Sequence, residues 1–275
     1  MKTIHLILAL AFSSFMLAQE AYTESLSGIK TVQLQINTQV HVVSGSGNQL
    51  SITDGIQCDD CEEDESNSQY YYNDDGGEGT KEDERAKGLT PLYAGGTDNT
   101  GFGFMTERDG GVLKIKDLKS WTQRSGFTLT LPKGINLKLD TGNLGSAKIE
   151  GIDSELELSS NVGNLTLINV TGPITADSST GTIEVIFDKV NQSSPISIST
   201  ATGTIDVSLP TNTPANVELR STMGSVYSNF DLEEPREDGM KVVGSNRNIE
   251  GQLNNGGVDI KLKSSTGNIY LRKKA

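Results

Sequence analysis

The chain has 275 residues, a hydrophobic content of 34% and a formal net charge of −13. That length allows one or two domains, and the low apolar content together with 30 glycines favours a thin core with many turns over a helix bundle. The acidity excludes nucleic acid as an ordinary partner and disfavours direct binding to anionic lipid.

The chain opens with Met1-Lys2-Thr3, an apolar run from Ile4 to Leu17, and the small residue Ala18. One positive charge, a short apolar stretch and a small residue at its end predict a signal peptide over residues 1–18, cleaved near Ala18. No cysteine follows the run directly, so a lipid anchor of the lipobox type is not expected. No second long apolar run follows, so no membrane span is expected in the mature chain.

Residues 19–56 read as strands. Val32, Leu34 and Ile36 alternate with polar residues, and Val40, Val42, Leu50 and Ile52 continue the pattern around a Ser/Gly turn. Residues 57–110 break it. Cys58-Asp59-Asp60-Cys61-Glu62-Glu63-Asp64 opens a strongly acidic low-complexity stretch, predicted to be a largely disordered insertion. Phe102 and Phe104, near its end, are expected to dock.

The alternation returns in residues 111–275, the predicted solenoid repeats. Counting outward from Gly163, apolar residues lie seven and five before (Leu156, Leu158) and two and four after (Leu165, Leu167). The same offsets hold around Gly181, Gly203 and Gly267, hold around Gly224 until Ser228, and fit Gly142 only if its turn is longer. Strands of one parity on either side of a glycine turn, recurring about every 20 residues, predict an all-β fold. Its expected form is a single-stranded parallel β-helix, a β-solenoid. Gly224 and Gly267 lie about two such periods apart, which predicts one coil with a degenerate turn between them, carrying a loop over 231–239. Thr141, Thr180, Thr202 and Thr266, each preceding a turn glycine, are expected to stack as a hydroxyl ladder.

Gly28-Ile29-Lys30-Thr31-Val32, Leu131-Pro132-Lys133-Gly134-Ile135 and turns such as Ser179-Thr180-Gly181-Thr182-Ile183-Glu184-Val185 resemble the bacterial "putative adhesin" family of exported envelope proteins. The resemblance covers residues 24–56 and 112–274. It implies a right-handed parallel solenoid, a domain of unknown function and association with the cell envelope, and it offers no catalytic residues to carry over. The signal sequence ending Ala18-Gln19-Glu20 is similar to those of Bacteroidetes proteins, which implies the periplasm or the cell surface.

Enzyme chemistry has little to stand on. The mature chain holds one histidine, His41, in a strand-like stretch, and no nucleophile motif surrounds a Ser/His/Asp set. Trp121 is the one tryptophan, with Lys119 and Arg124 nearby, and reads as a cap residue rather than a sugar platform. Carboxylates such as Glu155, Glu157, Glu184 and Asp206 alternate with core positions, as a solvated strand face requires. No catalytic, cofactor or defined metal site is predicted. Cys58 and Cys61 are expected to form a small disulfide in an oxidising compartment. Asp59, Asp60, Glu62, Glu63 and Asp64 offer oxygen ligands for weak, diffuse cation binding without a defined coordination pattern.

The leading expectation is therefore a non-catalytic envelope or surface protein presenting a solenoid face to a protein or glycan. A periplasmic structural or envelope-sensing accessory protein comes second, and a carbohydrate-active β-helix enzyme third. The final strand, Ile269–Leu271, and Val242-Val243 are expected near a solenoid end, where an open edge could pair two copies.

Overall fold

The computed structural model describes residues 21–56, 88–119, 122–124, 126–232 and 248–274. The signal segment, Cys58 and Cys61, the acidic residues 59–64, Trp121 and Val242-Val243 lie outside the described residues. Among those described, every regular element is a strand, and the strands form two ten-stranded sheets around one apolar core. The fold is all-β and solenoid-like, with mostly parallel pairing.

Strand β1 (Ala21–Ser25) precedes a first coil of β2 (Thr31–Gln35) and β3 (Gln39–Gly45). Strands β4 (Gln49–Asp54) and β5 (Phe104–Asp109) lead to a second coil, β6 (Val112–Asp117) with β7 (Gly126–Pro132). Next come β8 (Asn136–Asp140) with β9 (Ala147–Glu150), and β10 (Leu156–Val162) with β11 (Leu165–Val170). They are followed by β12 (Ile174–Thr180) with β13 (Ile183–Phe187), and β14 (Ile196–Thr202) with β15 (Ile205–Leu209). The chain continues through β16 (Ala215–Ser221) with β17 (Val226–Ser228), then β18 (Asn248–Leu253), and last β19 (Val258–Thr266) with β20 (Ile269–Lys273). Each coil puts its first strand in one sheet and its second in the other.

Period-two alternation drives this. In β12 the side chains of Ile174, Ala176 and Ser178 are buried, while Thr175, Asp177 and Ser179 are exposed. Parallel register then stacks like on like: Ala176 lies opposite Leu158 and Ile198, and Val185 opposite Leu167 and Val207. The spacing between partners is 18 residues from Leu158 to Ala176 and 22 from Ala176 to Ile198, the longer coil carrying an extra loop.

The order of coils in space is not their order in the chain. The β2–β3 coil lies between β6–β7 and β8–β9, and β19–β20 is inserted between β14–β15 and β16–β17. The coil expected between Gly224 and Gly267 is replaced by an edge strand: β18 runs antiparallel to β16. Residues 233–239 of the expected loop lie outside the described residues. The offset count located the turn glycines but carried no information on which coil neighbours which.

Reversed strands close most of the ends. β4 runs antiparallel to β7, β1 to β4, and β5 to β6. Among the described residues, only the three-residue β17 ends its sheet as a parallel edge. The cap at the β6–β7 end is pinned by Arg124, which is 6% exposed. Its guanidinium lies 4.2 Å from the Phe104 ring centroid and donates to Asp117 Oδ1 at 2.8 Å. Arg124 Nε lies 2.9 Å from Asp54 Oδ1, out of line for a hydrogen bond. Burial pushes the Asp117 carboxyl above its usual range against the opposing pull of Arg124. Phe104 itself is fully buried, edge-on to Phe127 at 5.0 Å.

Candidate functional site

The turn between the two sheets is built on a glycine column. A β-carbon on Gly163 would lie 2.0 Å from the Gly145 carbonyl oxygen, and one on Gly181 2.1 Å from that of Gly163. The same contact joins Gly203 to Gly181, Gly267 to Gly203 and Gly224 to Gly267, at 1.9 to 2.0 Å. Only a residue without a side chain lets the coils approach so closely. Gly145, not Gly142, occupies the column in its coil. Gly142 instead packs on Asn37, where a β-carbon would lie 2.1 Å from Oδ1. Counted from Gly145, Ala147 and Ile149 fall at the regular offsets, while the buried Leu137 and Leu139 lie eight and six before it, so the longer turn falls on the first-strand side.

Beneath this column lies a row of buried hydroxyls, Ser160, Ser178, Thr200, Ser264 and Ser221. Ser264 donates to the Gly203 carbonyl at 3.1 Å and Ser221 to that of Gly267 at 2.8 Å. The threonine row behaves otherwise than expected. Thr180, Thr202 and Thr266 stand in register on adjacent strands, but the bonds to turn carbonyls come from Ser264, Ser221 and, at 3.5 Å, Ser160, while Thr266 reaches Met223 Sδ at 3.8 Å. Thr141 is fully buried, and its hydroxyl reaches the Ser159 carbonyl at 3.4 Å.

On the outer face of the first sheet, four residues before each turn glycine, runs a second row. Ser159 (β10), Asp177 (β12), Ser199 (β14), Lys263 (β19) and Arg220 (β16) follow one another, with Asp140 (β8) beside Ser159. With Asn161, Ser179, Ser265 and Thr222 along the turn side, these residues line a groove of about 770 Å³. Neighbouring strands are about 4.8 Å apart, so the row spans about 24 Å from Asp140 to Arg220. The groove has an acidic end, a hydroxyl-lined middle and a basic end. Asp140 accepts the Gly142 N–H at 2.9 Å, and Ser199 donates to Asp177 at 3.5 Å. Chain order alone would place Lys263 at the far end; the inserted coil puts it between Ser199 and Arg220. Sequence reasoning missed this row, although the offset from each glycine was there to find it.

The residues singled out in the sequence lie elsewhere. His41 is buried on the second sheet, its Nε2 2.6 Å from Glu150 Oε2, and Lys148 Nζ lies 3.0 Å from Glu150 Oε1. Burial acts to raise the Glu150 carboxyl, but the hydrogen bonds from Lys148 and His41 hold it below the usual range. Glu157 pairs with Lys138 at 2.6 Å, and Asp206 takes Arg272 through both oxygens. Arg124, read as a neighbour of Trp121, is held in the cap by Asp117 and Phe104. Among the described residues no three His, Cys, Asp or Glu side chains cluster as metal ligands, and no helix is long and apolar enough to cross a membrane.

No curated protein matches the chain. A solved structure described as a "putative cell adhesion protein" from Clostridium sporogenes aligns over 93% of this chain and 99% of its own, at 14% identity and a TM-score of 0.45. The Toastrack DUF4097 family model matches residues 90–272, taking in the glycine column and the whole groove, and the chain belongs to that family.

Proposed function

We propose that this chain is a non-catalytic, exported envelope or cell-surface protein, and that the groove face of its first sheet contacts a protein or glycan partner. The observation that carries this reading is the groove. It is long, shallow in chemistry, polar throughout and built on strands locked by the glycine column, which suits an extended contact better than a small-molecule pocket does. Its carboxylates, Asp140 and Asp177, are exposed to solvent, whereas a general acid for glycoside cleavage is desolvated to keep its proton. The coils wind right-handed in this reading, as parallel crossovers do.

Export rests on the signal segment, with cleavage near Ala18 and residence in the periplasm or at the cell surface. A disulfide between Cys58 and Cys61 belongs to the same reading. The β17 edge, open among the described residues, where Tyr227 is 50% exposed and stacks on Tyr270 at 5.1 Å, supports pairing of two copies through that end.

Protease treatment of intact cells, blotted for this protein and compared with lysed cells, tests the reading. Digestion in intact cells is the expected result. Protection until lysis would transfer the groove to a periplasmic partner and favour an accessory role.

A further inference from the structure

Opposite charges meet across neighbouring strands of the first sheet, and where Glu218 faces Glu250 on β18, Lys261 on the other side of Glu218 offsets the like pair. Lys138 meets Glu157 at 2.6 Å, and Lys261 on β19 meets Glu218 on β16 at 3.2 Å. Two residues further along those same two strands, Arg220 and Lys263 stand directly opposite each other. Like charges in directly opposed positions repel. Both are exposed, and neither has an ion pair or hydrogen-bond partner among the described residues. In a chain of net charge −13, two bare cations side by side at one end of a groove are conspicuous by their chemistry. An anionic group laid between them would relieve the repulsion, with Arg220 able to hold a carboxylate through two parallel N–H bonds.

The rest of the groove restricts what that anion is attached to. Beyond Lys263 the floor is Ser199, Asp177, Ser159 and Asp140, and Ala201 is the one apolar residue in the lining. There is no apolar recess for the side chains of a peptide. Hydroxyls that both donate and accept, beside a carboxylate that accepts from two hydroxyls at once, match a chain of sugars. The acidic far end would repel a polyanion. We propose that the groove binds a glycan carrying an acidic residue, its carboxylate held between Arg220 and Lys263 and its neutral sugars laid toward Asp177. This deepens the partner-binding reading above and depends on the groove being the contact face.

The test is an array of matched acidic and neutral oligosaccharides probed with the full chain, followed by titration calorimetry with sialyllactose, a xylotriose carrying a single glucuronate, and lactose. At least one acidic probe should bind in preference to the neutral ones, weaken with added salt, and lose at least tenfold in affinity in the Arg220→Gln/Lys263→Gln variant. Lys261→Gln, on the same strand but paired with Glu218, should leave binding unchanged. Asp177→Asn should weaken the acidic probe without abolishing the preference for acid. Equal binding of acidic and neutral probes, no acidic probe bound, or acidic binding indifferent to the double variant would each overturn the proposal. So would a polyglutamate peptide outcompeting every glycan. These outcomes are read on purified protein, so they stand apart from the protease test of surface exposure.

Discussion

Gly203 rests on Gly181: a β-carbon added at residue 203 would lie 1.9 Å from the Gly181 carbonyl oxygen. The neighbouring atom is backbone inside a parallel ladder, so it has little room to yield. Gly203→Ala is therefore expected to destabilise the fold by about 3 kcal/mol or more, through overpacking and a backbone conformation unsuited to alanine. Gly134→Ala, where φ is +74° and nothing lies within 4 Å, should cost only about 1 kcal/mol. Chemical denaturation of the two variants separates the column from an ordinary turn.

Arg124→Met leaves the buried Asp117 carboxylate without its guanidinium. The expected loss is about 3–5 kcal/mol at neutral pH. The sign of the pH dependence follows from the carboxyl already being raised by burial. A raised carboxyl binds its proton more tightly in the folded state, so its contribution declines as pH rises from the usual carboxylate range through the folded value. Without Arg124 the value rises further, and the variant should recover part of its deficit on acidification. Denaturation midpoints measured from neutral pH down through the carboxylate range would show a deficit that does not change with pH if the ion pair were unimportant.

Asp98 organises the loop that brings Phe104 to the core. Its Oδ1 accepts the N–H groups of Thr100 and Gly101, and its Oδ2 that of Gly103. Burial acts to raise this carboxyl, but those bonds and the Thr100 hydroxyl hold it below the usual range. Its stabilisation is thus present above the unfolded carboxylate range and lost as pH falls through the folded value. Asp98→Ala should cost about 1–2 kcal/mol near neutrality, and the difference from the parent should shrink in acid. Faster hydrogen exchange at residues 100, 101 and 103 would locate the effect.

The β17 edge, which has no further strand beside it among the described residues, predicts self-association. Sedimentation of the purified protein should show a concentration-dependent dimer that Tyr227→Lys dissolves, since a charge on an open edge blocks strand addition. A monomer at every concentration would exclude pairing through this end.

Much of the fold was legible because both periods were short and local. Alternation gave the inward residues, and the offsets around Gly163, Gly181, Gly203 and Gly267 identified the buried pairs on both sides of each turn. What was not legible is non-local. Nothing near Gly267 states that its coil lies between those of Gly203 and Gly224, because Gly203 and Gly267 share one turn backbone and the same apolar offsets, and the departures at Gly224 say nothing of its neighbours. The groove inherits that ambiguity: Lys263 and Arg220 sit at one offset from their glycines, yet their adjacency to Ser199 depends on coil order. Arg124 and Asp117 are seven residues apart with no motif between them, and only the cap brings Phe104 over the guanidinium.

The interposed β19–β20 coil has a consequence for how the molecule is made. Strands β16 and β17 leave the ribosome before β19 and β20, yet in the finished stack they touch β14 and β15 only through those later strands. Up to β15 the growing end can accept coils as they are synthesised. After that, residues 215–220 can pair only with β18 at residues 248–253, and both wait for residues 258–273 to slip in between them and the finished coils. Assembly thus ends in a single closing event that joins segments about 40 residues apart, as Leu219 to Leu262 are, and loop-closure entropy makes such a step slow.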